Sequence, residues 1–104
     1  MKTITLTSEK GAELDTEIRF LVATERASGT ELIRFDIRDG EGSALAVRLA
    51  VKILRRMRSE GAIQVYATRE SFLSGDTEAS YILNKYYDSF MGELPEHEYI
   101  FVKI

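Results

Sequence analysis

Asp36, Asp39 and Glu41 crowd a short stretch that also holds Gly40, Gly42 and Ser43, and here the chain concentrates groups able to do chemistry. Two opposite chemistries are compatible with it. The run Gly40-Glu41-Gly42-Ser43 leads into a segment of helical period, so its backbone N–H groups and the helix dipole suit a phosphate or carboxylate. Gly40, Gly42 and Ser43 are therefore the candidate anion-binding residues. The match is short: a dinucleotide fingerprint wants another Gly or Ala where Ser43-Ala44-Leu45 continues, and a phosphate-binding loop wants Gly-Lys-Ser/Thr. Asp39 and Glu41 would also repel an anion. A flexible turn followed by a serine N-cap explains the same residues.

The carboxylates support the converse chemistry, in which Asp36, Asp39 and Glu41, with Glu70 or Asp76 from the 68–76 loop, ligate Mg²⁺ for phosphoester cleavage. However, Asp36 and Asp39 differ in strand parity, and Asp76 is accounted for as a helix cap. His97 is the one histidine and has no readable partner for a triad or metal site. Ser43, Ser71 and Ser74 lack a nucleophile-elbow sequence. No cofactor, metal or covalent catalysis is expected, and the balance leans away from an enzyme.

Two surfaces could instead make contacts. Arg48, Lys52, Arg55 and Arg56, with Arg58 nearby, share a narrow sector of one helix, where they serve solvation or meet phosphates or an acidic partner. Arg34, Arg38, Tyr66, Tyr99, Phe101 and Lys103, with Gln64, fall on the second face of alternating strands and mix cations with aromatic rings. That mixture suits a protein interface or the stacking of single-stranded bases. The expectation is that protein covers this face, either the segment 11–28 or a second subunit.

The elements that position these residues follow from periodicity. Alternation predicts strands at Thr3–Thr7, Glu31–Asp39, Ala62–Thr68 and His97–Ile104. In the second, Ile33, Phe35 and Ile37 point inward; in the third, Ile63, Val65 and Ala67; in the last, Ile100, Val102 and Ile104. Ser43–Arg58 is the strongest helix, with Leu45, Ala46, Leu49, Ala50, Ile53, Leu54 and Met57 on a broad apolar arc and Gly61 as its stop. A third helix is predicted over about 77–91, with Asp76 as N-cap and Pro95 leading into the last strand. The segment 11–28 fits both periods: Leu14, Ile18, Leu21 and Val22 make a helical stripe, while Ile18, Phe20 and Val22 make a strand face. The helix is preferred, because the even strand–helix spacing requires it and Ala27-Ser28-Gly29 repeats the form of Ser59-Glu60-Gly61.

With 104 residues, one compact domain spanning 1–104 is expected. Apolar residues at 44% and charged residues at 30% exclude a disordered chain. The net charge of −3 provides no global attraction to nucleic acid. No apolar window suits a bilayer, and MKTITLTSEK lacks a signal core, so a cytoplasmic location is expected. The absence of cysteine is compatible with a reducing compartment.

FDIRDGEGSALAVRLAVKILRRMRSEG followed by AIQVYATRES is similar in order and spacing to the small MutS-related domain, over residues 31–104. It departs from that family where Asp36-Ile37-Arg38-Asp39 carries no histidine and Thr68-Arg69-Glu70-Ser71 carries neither the histidine nor the glycines of its loop. The sulfur-carrier TusA family has a comparable strand-to-helix layout, but its Cys-Pro is missing here. Both resemblances imply only a two-layer α/β sandwich. The expected fold is thus a small α/β sandwich of order βαβαβαβ, with a mostly parallel or mixed four-stranded sheet and helices mainly on one face. The alternative is an α+β fold with an N-terminal antiparallel meander followed by βαβ. The expected function is a non-catalytic binding or regulatory module acting through protein contacts, most simply as a homodimer. An anion-binding or Mg²⁺-dependent enzyme and a single-strand nucleic-acid binder are the alternatives.

Overall fold

The computed structural model describes residues 2–6, 13–37, 43–68 and 98–104. They form strand β1 (Lys2–Leu6), helix α1 (Leu14–Ala27), strand β2 (Leu32–Ile37), helix α2 (Ser43–Ser59), strand β3 (Val65–Thr68) and strand β4 (Glu98–Lys103). The helix expected over 77–91 lies outside the described residues.

The four strands make one mixed sheet in the order β1-β2-β4-β3. β1 runs parallel to β2, with Ile4 opposite Phe35 and Leu6 opposite Ile37. β4 is antiparallel to both of its neighbours, so Ile33 faces Val102 on one side and Tyr66 faces Val102 on the other. β2 and β3 are therefore parallel to each other and separated by β4, a split βαβ arrangement. This is the α/β sandwich in its mixed form, and the N-terminal meander is ruled out by the parallel β1–β2 pair.

α1 settles the segment with two periods. Leu14, Ile18 and Val22 are buried, whereas Phe20, which a strand would place beside Ile18 and Val22, is 67% exposed. Period 3.6 prevails because the stripe meets α2 and the sheet in one core. That core joins Leu14, Ile18 and Val22 to Ala46, Ala50, Ile53, Leu54 and Met57 of α2 and to Ile33, Phe35, Ile37, Ile100 and Val102 of the sheet. Both helices therefore lie on one face of the sheet, and α1, one of the two covers expected over the opposite face, is not there.

The two helices end in the same way. Gly29 N–H donates to the Arg26 carbonyl and Thr30 N–H to the Glu25 carbonyl; Gly61 N–H donates to Arg58 and Ala62 N–H to Met57. These are paired Schellman caps, and the glycines take φ of +80° and +77°, a region costly for a side chain with Cβ. At its start α1 has no side-chain cap from Glu13, and Asp15 and Glu17 in its first turn complement the dipole instead.

Two sequence expectations are corrected. Leu45 is 72% exposed rather than part of the buried arc, because the α2 stripe centres on Ala46, Ala50, Ile53, Leu54 and Met57 and Leu45 falls far to one side of it. β3 begins only at Val65, so the alternation read over 62–68 does not run through. Ile63 and Tyr66 both lie on the helix side, since the chain is still leaving the α2 cap at Ala62 and straightens only where Gln64 N–H donates to the Lys103 carbonyl at 2.9 Å.

Candidate interaction surfaces

The face of the sheet opposite the helices is set by strand register. Arg34 lies across from Phe101, Asp36 from Tyr99, and Leu32 from Lys103; Val65 and Ala67 continue the face onto β3 across from Lys103 and Phe101. The Arg34 guanidinium carbon stands 4.8 Å from the centroid of the Tyr99 ring, a cation–π contact. The Tyr99 and Phe101 rings are stacked with centroids 6.4 Å apart and planes 28° apart.

These rings are not exposed. Tyr99 retains 6% and Phe101 3% of their accessible surface, and Leu32, Asp36 and Ala67 are buried with them. Arg34 and Lys103 are half-buried. The centre of this face is thus closed to solvent, although α1, one of the two covers expected for it, lies on the opposite side: the central strands are buried on both faces, so the outward set acts as interior rather than as a platform for bases. Tyr66 does not belong to this set at all. It sits on the helix side, packed against the main core, with its hydroxyl 3.3 Å from Nε of Arg55. That hydroxyl raises the Arg55 pKa above its ordinary value.

Of the remaining sequence candidates, Arg38, Gly40 and Gly42 lie outside the described residues, as do Asp39, Glu41, Glu70, Asp76 and His97. Ser43 marks where the anion-binding loop would meet α2. Among the described residues, no group of three or more His, Cys, Asp or Glu side chains is gathered as a metal site would require. No helix among them is long and apolar enough to cross a membrane.

The outer surface of α2 carries one sign of charge. Arg48, Lys52, Arg55, Arg56 and Arg58 are exposed, and the helix contains no Asp or Glu. Exposed Leu45 stands at the N-terminal end of this stripe. Like charges four apart, as at Arg48–Lys52 and Lys52–Arg56, oppose helix formation by about 0.2–0.5 kcal/mol per pair. The dipole favours cations in the last turn but gives Arg48 no such support.

α1 and α2 are joined on their surface by arginines of α1. Arg19 donates to Asp15 Oδ1 at 2.8 Å and to both Glu60 carboxylate oxygens, at 2.7 and 3.4 Å. The hydrogen bond from Arg19 pulls the Glu60 carboxyl below its ordinary range. Arg26 reaches the Ala62 carbonyl just beyond the α2 cap. The charge pattern of α2 is readable in sequence; the exposure of Leu45, expected on the buried arc, and of Phe20, expected only on the face of the alternative strand, is not, although a wheel centred on either buried stripe puts Phe20 nearly opposite and Leu45 well off it.

Compared with models of protein families, with curated proteins and with solved structures, the chain finds no match in any of the three.

Proposed function

We propose that this chain is a non-catalytic binding or regulatory module that works through protein contacts, and that its contact surface for an acidic partner is the outer side of α2. The observation that carries the reading is the single-signed stripe Arg48, Lys52, Arg55 and Arg56 headed by exposed Leu45, on a chain whose net charge is −3. Charges placed only for solubility are commonly mixed in sign, which gains favourable pairs four residues apart. α2 forgoes every such pair within itself. Leucine beside cations favours a protein surface over a bare phosphate backbone, since interfaces combine an apolar centre with a charged rim. Burial of Tyr99 and Phe101 withdraws the support that exposed rings would have given to base stacking. A cytoplasmic site of action belongs to the same reading, which the cysteine-free sequence suits.

The test is fluorescence anisotropy with a labelled oligo-glutamate peptide, and a labelled oligo-dT strand as control. Salt-sensitive peptide binding that is lost in Arg48→Glu/Lys52→Glu and weakened in Leu45→Ala is expected. The reading is wrong if the peptide fails to bind, if the charge reversal leaves binding unchanged, or if oligo-dT binds more tightly than the peptide.

A further inference from the structure

Strand β1 lies at one end of the sheet, and among the described residues no strand pairs with its outer side. Open edges are templates for strand addition, and proteins usually blunt them with prolines, bulges or repeated charges. β1 has the sequence KTITL: three β-branched residues, no proline and one charge. Lys2, Thr3 and Thr5 are exposed and Ile4 is half-buried, so none of the described residues encloses the strand.

The strand is complementary to itself in one orientation. Antiparallel pairing about Ile4 sets Ile4 opposite Ile4 of a second copy, Thr3 opposite Thr5, and Lys2 opposite Leu6. No like charges face each other, and threonine pairs favour such a ladder. Because side chains alternate, the same register puts Ile4 and Leu6 of both copies on the helix side. Parallel pairing would not close on a two-fold axis, whereas this pairing does.

The helix above the edge supplies a second, independent feature. Arg19 and Arg26 reach Glu60 and Ala62 and so mark the flank of α1 that faces α2. α2 lies toward β3, where Arg55 meets Tyr66. At about 100° per residue, Phe20 falls on the outer surface of α1, nearly opposite its buried stripe and inclined to the side away from α2, with half-buried Leu21 lower on that same flank. This phenylalanine is 67% exposed, and it has no packing role among the described residues.

We propose that β1 and the outer flank of α1 form a two-fold interface with a second copy of this chain, giving a continuous eight-stranded sheet with Phe20 of each copy at the helix contact. The proposal rests on reading the chain as a module of protein contacts, but uses a face separate from the cationic side of α2. Two phenylalanines contribute about 150–250 Å² each, and two five-residue strands add a narrow strip. The total stays near or below the roughly 1,200 Å² of the smallest stable interfaces, so the dimer is reversible and dependent on concentration. Its outer ends are the four-residue β3 strands, too short to extend the sheet readily.

Light scattering from micromolar to millimolar protein should show the mass rising toward two chains, with Thr3→Lys/Thr5→Lys and Phe20→Glu each weakening association about tenfold or more through opposed charges or lost apolar contact. Since the chain has no cysteine, Thr3→Cys and Thr5→Cys chains give a clean register test: an oxidised mixture should cross-link, and either alone should not. A mass fixed at one chain throughout, a dimer indifferent to these substitutions, or Thr3→Cys cross-linking efficiently to itself would each overturn the interface. Oligo-glutamate binding retained by the β1 variants would leave the α2 reading standing, so the two can fail separately.

Discussion

Arg34 on β2 holds its guanidinium 4.8 Å from the ring centre of Tyr99 on β4, although the residue directly across the ladder from Arg34 is Phe101. The contact is diagonal, and it ties a cation to a buried ring between the two central strands. Replacing Arg34 with Met keeps much of the aliphatic stem but removes the charge. The expected loss is about 0.5–2 kcal/mol, read as a lowered urea midpoint. Tyr99→Phe preserves the π face and should retain most of the contact.

Phe101 and Phe20 make a direct contrast. Phe101→Ala opens a cavity in a buried site and should cost about 3–5 kcal/mol, a large part of the about 5–15 kcal/mol that holds an ordinary domain together. Phe20→Ala, at an exposed site, should change the stability of one chain by no more than about 0.5 kcal/mol. Urea unfolding at low protein concentration measures both. Similar costs at the two positions would contradict the burial of the β4 face.

The paired helix caps predict matched sensitivities. A Cβ added at Gly29 or Gly61 meets no atom within 4 Å, so the cost of Gly29→Ala or Gly61→Ala is conformational alone. At φ near +80° this is about 1–2 kcal/mol for each. Asparagine at the same positions should cost less, since it tolerates the left-handed region better than alanine. Thermal melts of the four variants would check the ranking.

Glu60 predicts a pH dependence of defined sign. Its carboxyl is held below the ordinary value of 4.5 chiefly by the hydrogen bond from Arg19. A lowered folded-state pKa stabilises the fold above the unfolded value, and the contribution is lost as pH falls through the folded one. Glu60→Gln should therefore lie slightly below the natural chain in Tm at neutral pH, by about 2 °C or less for so exposed a pair. The gap should close well below pH 4.5. A gap that widens in acid would assign the wrong sign to the Arg19 contact.

Much of the fold was legible because its signals are local. The stripe of α1, the repeated Ser-x-Gly and Ser-Gly endings and the alternation of Leu32–Ile37 each act within a few residues. Pairing was less legible. Nothing in β4 itself announces that it lies between β2 and β3, because strand order depends on which edge remains open when the chain returns. The parity error at β3 has the same origin: alternation is counted from the first residue, and a cap that consumes Ala62 shifts the start to Val65. The candidate surface moved for a related reason. Cations beside aromatics in Arg34, Tyr99 and Phe101 resemble an exposed platform, but whether such a face is wet depends on what packs over it, which strand periodicity does not encode.

The position of β4 also sets the order in which this sheet can be completed during synthesis. β1, α1 and β2 can associate as soon as they emerge, but β2 and β3 have no shared partner until Tyr99–Val102 has been made, and Ile33 must then find Val102 near the far end of the sequence. Closing so long a loop is slow compared with forming a helix or hairpin. Until it closes, the inner edges of β2 and β3 are both open to any other strand, so the nascent chain is at greatest risk of mispairing in the interval before β4 has been made.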